Sequence, residues 1–173
     1  MKLSTKRLCI LSILLALNVA LEAISFRITG SLQIKFTFIM TMFVAANFTL
    51  PEGIVFTIAQ DILAYIIVDS MAYAFNPGYT IQAVITMILY HFFLRNKQSL
   101  KNIALVKLIV NIFINVGFGS ILSMIDYKTF TFAAYCGFVG TKFIKNIIMF
   151  PIEVFIFYII NPYLTKIAKK FIN

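Results

Sequence analysis

An all-α integral membrane bundle of six transmembrane helices is the fold class this sequence predicts, and three observations predict it. Hydrophobic residues make up 61% of the 173 positions and charged residues only 12%, whereas soluble domains carry about 25% charged residues. A soluble domain of this length has too much surface to cover with so few polar side chains. The apolar residues fall into runs near the 20 or so that a helix needs to cross the hydrocarbon core. The 15 Lys and Arg gather at the ends of those runs and not in one basic patch, as membrane topology requires. Residues 1–173 therefore read as one domain dissolved in lipid, and the net charge of +9 points to a bilayer, not to nucleic acid.

The first span is expected at 8–26, after the basic stretch Met1–Arg7. This start resembles a signal peptide, but no small-x-small cleavage site follows and five more apolar segments do, so it reads as a retained span. The second and fourth spans, 35–50 and 79–94, are short and suit helices that stop against a loop or cavity. Before the third span, 53–73, Leu50-Pro51-Glu52-Gly53 reads as a tight inner turn punctuated by Pro and Gly. The fifth span is placed at 103–124 and the sixth at 143–165, with 129–141 expected as a partial helix or re-entrant loop.

Charge orients the bundle. With the N-terminus inside, Lys2, Lys6, Arg7, Arg95, Lys97, Lys101, Lys107, Lys166, Lys169 and Lys170 fall on the inner side. Arg27, Lys35, Lys128, Lys142 and Lys145 fall outside, so both termini are expected in the cytoplasm. The longer connections, 27–34, 76–79 and 126–142, lie on the outer face, where a binding surface belongs.

Catalytic patterns are missing. There is no HExxH or GxSxG, and Gly137–Lys142 lacks the spacing of a phosphate loop. Cys9 and Cys136 are isolated, so no metal site or cofactor is expected. His91, at the inner end of the fourth span, reads as an interfacial polar residue. The outer cations read either as snorkelling side chains or as a mouth for an anionic ligand, with Arg27 offering a bidentate fork. Lys142 and Lys145 share one helical face. Glu22, Asp61, Glu153, Asn18, Asn111, Asn115 and Asn146 are costly inside a membrane. They read as interhelical fastening or as ligand contacts.

In order and spacing these segments resemble the S components, the substrate-binding subunits of energy-coupling factor (ECF) vitamin transporters, and specifically their folate group. The resemblance rests on Ala16-x-x-x-Ala20, Ile34-Lys35-Phe36-Thr37-Phe38, Asp61, Pro77-Gly78-Tyr79-Thr80, Asn115-Val116-Gly117-Phe118, and Lys142–Asn146 leading into Met149-Phe150-Pro151-Ile152-Glu153. Val116 and Phe118 stand where the family tends to carry Thr and Trp, and Lys142 where it often carries Arg.

The resemblance implies a multi-pass protein of the bacterial cell membrane that captures folate near the outer face. It also implies docking through Ala16 and Ala20 onto a T component that works with two ATPases and so supplies the energy this chain lacks. Candidate substrate contacts are Arg27, Lys35, Phe36, Gly78, Tyr79, Thr80, Asn115, Phe118, Lys142 and Lys145. An S component for pantothenate or riboflavin, and a non-transporting scaffold of the rod-shape type, are the alternatives.

Overall fold

The structure, a computed structural model, describes residues 5–29, 32–69 and 75–172, with the side chains of all but 26–29, 32–34, 68–69 and 168–172. The six expected helices are present among the described residues. They are α1 (Thr5–Ala23), α2 (Phe38–Asn47), α3 (Leu50–Ala64, prolonged by the π-helical turn Tyr65–Asp69) and α4 (Pro77–Leu94). The last two are α5 (Leu100–Asp126) and α6 (Phe132–Ile172). The helices from Leu50, Pro77, Leu100 and Phe132 are each long and apolar enough to cross a bilayer. With 19 residues, α1 reaches about 28 Å. The 10 residues of α2 reach only about 15 Å, half the hydrocarbon core.

Three local expectations change. The long outer connection after α1, in a fold expected to be all-α, contains strands. Phe26–Thr29 (β1) pairs antiparallel with Leu32–Ile34 (β2), so a small hairpin interrupts the all-α pattern. Leu50-Pro51-Glu52-Gly53 is not the inner turn but the first turn of α3, because proline lacks only an N–H that a helix start leaves unpaired anyway. Gly53 is there for packing, since a Cβ would lie 2.8 Å from Met87 Sδ. The segment 129–141 is neither partial nor re-entrant: α6 begins at Phe132 and runs 41 residues. The outer connection therefore shrinks to residues 127–131.

Ile13, Val55, Phe92, Phe113, Ile148 and Phe155 all point outward and are exposed. Water would disfavour so continuous an apolar surface, whereas lipid is matched to it. Inside, the half of the bundle away from the hairpin is solid. Met42, Phe43, Val44, Phe48, Met87, Leu94, Ile103, Val106 and Phe157 are buried together.

That packed end is held by capping. A helix leaves its last carbonyls without partners, and α2 ends inside the bundle. His91 and Arg95, one turn apart on α4, supply the donors. Arg95 Nη1 donates to Phe48 O at 2.5 Å, and His91 Nδ1 lies 2.9 Å from Ala45 O. A carbonyl can only accept, so His91 carries its proton on Nδ1. Beside them Glu52 Oε2 accepts from Thr49 N and Thr49 Oγ1 at 2.8 Å and from Arg7 Nη2 at 3.0 Å, tying α1 to the start of α3.

Glu52→Ala strands three donors at this end. Hydrogen bonds to charged groups contribute about 1.5–3 kcal/mol, so the thermal midpoint in detergent should fall by roughly 4–10 °C, read by a light-scattering melt.

Candidate functional site

Above the packed half, between the hairpin end and the middle of the bundle, the helices part around a cavity of about 430 Å³. Its size lies within the range of about 300–1,000 Å³ typical of small-molecule sites. Glu22 of α1, Lys35, Thr41 of α2, Gln60 and Asp61 of α3, and Tyr79, Gln82 and Tyr90 of α4 line it. The other walls include Lys107, Asn115 and Asp126 of α5 and Lys142, Lys145, Met149 and Glu153 of α6. The α6 positions recur at three- and four-residue spacing, so one face of a single helix forms a whole wall.

The lining carries four lysines, 35, 107, 142 and 145, and four acids, 22, 61, 126 and 153. The cationic mouth expected from the outer lysines is therefore corrected: acids from other helices balance them in the same space. Lys107, counted among the inner loop charges, is also corrected. It is 3% exposed, within the bundle, with Nζ 3.1 Å from Glu153 Oε2 and 4.9 Å from the Phe38 ring centroid. Lys107 Nζ also donates to Tyr90 Oη at 3.3 Å.

From Glu153 a chain of amides crosses the bundle. Asn111 Nδ2 donates to Glu153 Oε2 at 3.5 Å, Asn115 Nδ2 to Asn111 Oδ1 at 3.1 Å, and Gln82 Nε2 to Asn115 Oδ1 at 3.3 Å. The chain ends at Gln82 Oε1, which is buried and has no partner among the described residues. Both asparagines sit in the π-helical stretch Val110–Phe118 of α5. Such wide turns are rare and occur often at functional sites.

Most remaining charges are also closed. Lys35 pairs with Glu22. Lys142 Nζ donates to Gly119 O at 2.5 Å and Ser123 Oγ at 2.8 Å. Asp126 accepts from Asn76 Nδ2 at 2.7 Å and Tyr79 Oη at 2.6 Å, joining the start of α4 to the end of α5. Lys145 and Asp61 are the least engaged of the lining charges among the described residues. Lys145 makes no hydrogen bond or ion pair among the described residues, although Glu153, Lys35, Lys107 and Glu22 lie within electrostatic reach. Asp61 accepts from Thr80 Oγ1 at 2.5 Å through Oδ2, and its Oδ1 has no hydrogen-bond partner among the described residues.

Of the sequence-derived contacts, Lys35, Tyr79, Asn115, Lys142 and Lys145 line this cavity. Thr80 meets it through Asp61. Gly78 lies in the first turn of α4, where a Cβ would collide with Leu122, and its N–H donates to Asn76 Oδ1 at 2.9 Å. Phe36 packs against the apolar core, and neither it nor Phe118 is among the lining residues. Arg27 is in β1 opposite Gln33, but its side chain lies outside the described residues. Tyr90, Gln60, Gln82 and Asp126 are lining residues that sequence reasoning did not propose. Of these only Gln82 offered a signal, as a lone amide one turn from Thr86 in an apolar span. Ala16 and Ala20 are exposed on the outward face of α1.

No protein-family model matches the chain. Over 174 aligned residues it is 28% identical to the folate transporter FolT of Leuconostoc mesenteroides, covering 98% of this chain and 92% of that protein. Its fold is similar to the crystal structure of FolT bound with folic acid, with a TM-score of 0.77, 23% identity, and coverage of 92% of this chain and 95% of that one. The chain thus has the FolT fold, the six-helix membrane architecture implied by its motifs.

The pair under the cavity makes a test of its structural weight. Removing one partner of a buried ion pair costs about 3–5 kcal/mol, whereas replacing both by apolar groups is often neutral. Lys107→Met should therefore lower the thermal midpoint markedly, and the double variant Lys107→Met/Glu153→Leu should recover most of the loss.

Proposed function

We propose that this chain is the substrate-binding S component of an ECF-type importer in a bacterial cell membrane, and that its substrate is folate. The observation that supports this most directly is the state of the cavity charges. A site for a simple anion would hold an excess of cations, but here the charges balance, with Lys145 making no hydrogen bond or ion pair and Asp61 only one hydrogen bond among the described residues. A ligand that answers both must carry a carboxylate and a cluster of N–H donors. Folate has both, in its glutamate tail and its pterin ring. The similarity to a folate transporter and to a folic-acid-bound protein points the same way.

The packed core borders the cavity through Phe38, Tyr90 and Val110, so a ligand would enter from the end away from that core. Lys145 is the candidate for the ligand carboxylate, as the lining cation with no acceptor of its own. Lys35 stands close by but is already paired with Glu22. Tyr65, Phe75, Tyr79 and Tyr127 supply aromatic faces at the rim for a flat ring. Ala16 and Ala20, small and outward-facing on α1, leave a shallow strip where a helix of the T component can approach closely. ATP hydrolysis then belongs to the ATPases that accompany that subunit.

Mass spectrometry of small molecules released from the purified protein tests the substrate: folate is expected, pantothenate or riboflavin would reassign it, and an empty protein unshifted by any vitamin would favour a scaffold. The chain has no Trp, so binding is best followed by calorimetry or labelled ligand. Lys145→Met should weaken folic acid binding by about 10- to 100-fold, the worth of one charge-assisted hydrogen bond. Ala16→Trp should leave folic acid binding by the isolated chain intact and abolish uptake in cells that supply the energising subunits.

A further inference from the structure

The four acids of the cavity are not equivalent. Glu22 is paired with Lys35, Glu153 with Lys107 and Asn111, and Asp126 receives Asn76 on one oxygen and Tyr79 on the other. Asp61 alone among them has neither an ion pair nor a second hydrogen bond among the described residues, which leaves its Oδ1 without a donor. Its other oxygen is fixed by Thr80, so the carboxylate is oriented before any ligand arrives.

An ionised carboxylate is an acceptor only, with about four lone-pair sites. After Thr80 it can still accept two parallel N–H groups at once, and Gln82 Oε1, as a single amide oxygen, cannot do this. The matching ligand chemistry is a ring N–H flanked by an exocyclic amino group, which is the donor edge of a 2-amino-4-oxopyrimidine. Resting on the folate reading above, we infer that Asp61 is the specificity residue that receives this donor edge of the pterin, with Thr80 positioning it. The carboxylate tail is then left to Lys145, and the two open groups take opposite ends of one ligand.

The inference requires the protein to sense the 2-amino group. Dissociation constants would be measured for folic acid, for its 2-desamino-2-methyl analogue and for p-aminobenzoyl-glutamate, which lacks the pterin. The unaltered protein should bind folic acid at least about 30-fold more tightly than the 2-methyl analogue, as expected when a buried acceptor loses its donors. In Asp61→Asn folic acid should weaken by about the same factor, while the analogue and p-aminobenzoyl-glutamate change by less than about 3-fold. The ratio between the first two ligands should collapse toward one.

Thr80→Val should move the ratio in the same direction by a smaller amount, because it frees the carboxylate without removing it. Equal weakening of all three ligands, or an unchanged ratio in Asp61→Asn, would overturn the assignment and leave the folate reading standing. If Asp61→Asn does not fold, failure of the unaltered protein to discriminate the 2-amino group overturns it equally. Failure of the unaltered protein to bind folic acid at all removes the folate reading and this inference together.

Discussion

Lipid cannot solvate charge, and the cost of that fact shapes the molecule from the middle of the bundle outward. A lone ion in a low-dielectric interior is several kcal/mol less stable than in water, so each one must find its partner within the chain. Lys107 finds Glu153 and so joins α5 to α6, and Lys35 finds Glu22 and so joins the foot of the hairpin to α1. Asp126 draws the start of α4 onto the end of α5, and Lys142 reaches from α6 to Gly119 and Ser123. The contacts that hold the cavity walls together are thus made by the residues that line it. Under the proposed function, recognition and stability draw on one set of atoms, which leaves little freedom to alter either alone.

The polar chain Glu153–Asn111–Asn115–Gln82 shows how far this sharing extends. It crosses three helices and follows the wide turns of Val110–Phe118, where the backbone departs from α geometry. A ligand that meets Gln82 or Asn115 is therefore linked to the ion pair beneath them. Partly satisfied networks of this kind are high-stakes in a low-dielectric setting, so the unpartnered Gln82 oxygen marks a place where a bound donor would complete the network.

The helices were legible in the sequence because lipid asks for long apolar runs and for basic ends, and both leave a direct trace. What escaped was set by distant partners. Nothing near Phe38–Asn47 reveals that α2 stops after 10 residues; its last carbonyls are capped by His91 and Arg95, more than 40 positions away. Lys107 lies seven residues into α5 and looks like a loop-side cation until Glu153 is found opposite. The stretch 129–141 is rich in Phe, Ala and Gly, a composition compatible with either a helix or a loop. Charge drew attention to Lys35, Lys142 and Lys145, and all three line the cavity, since a lysine in such a span has few other uses. Tyr90 could not be told from lipid-facing aromatics such as Phe92 without the rotation of α4, and the same unknown rotation of α5 governs Phe118, which is not among the lining residues.

The packed half beneath the cavity carries a consequence of another kind. Met42, Phe43, Phe48, Met87, Leu94, Ile103 and Phe157 pack a layer of apolar side chains between the cavity and the opposite end of the described bundle. Moving a proton or an inorganic ion through such a layer costs the ion its solvation. The same packing that gives the cavity its floor thus also opposes leakage of small ions through the bundle.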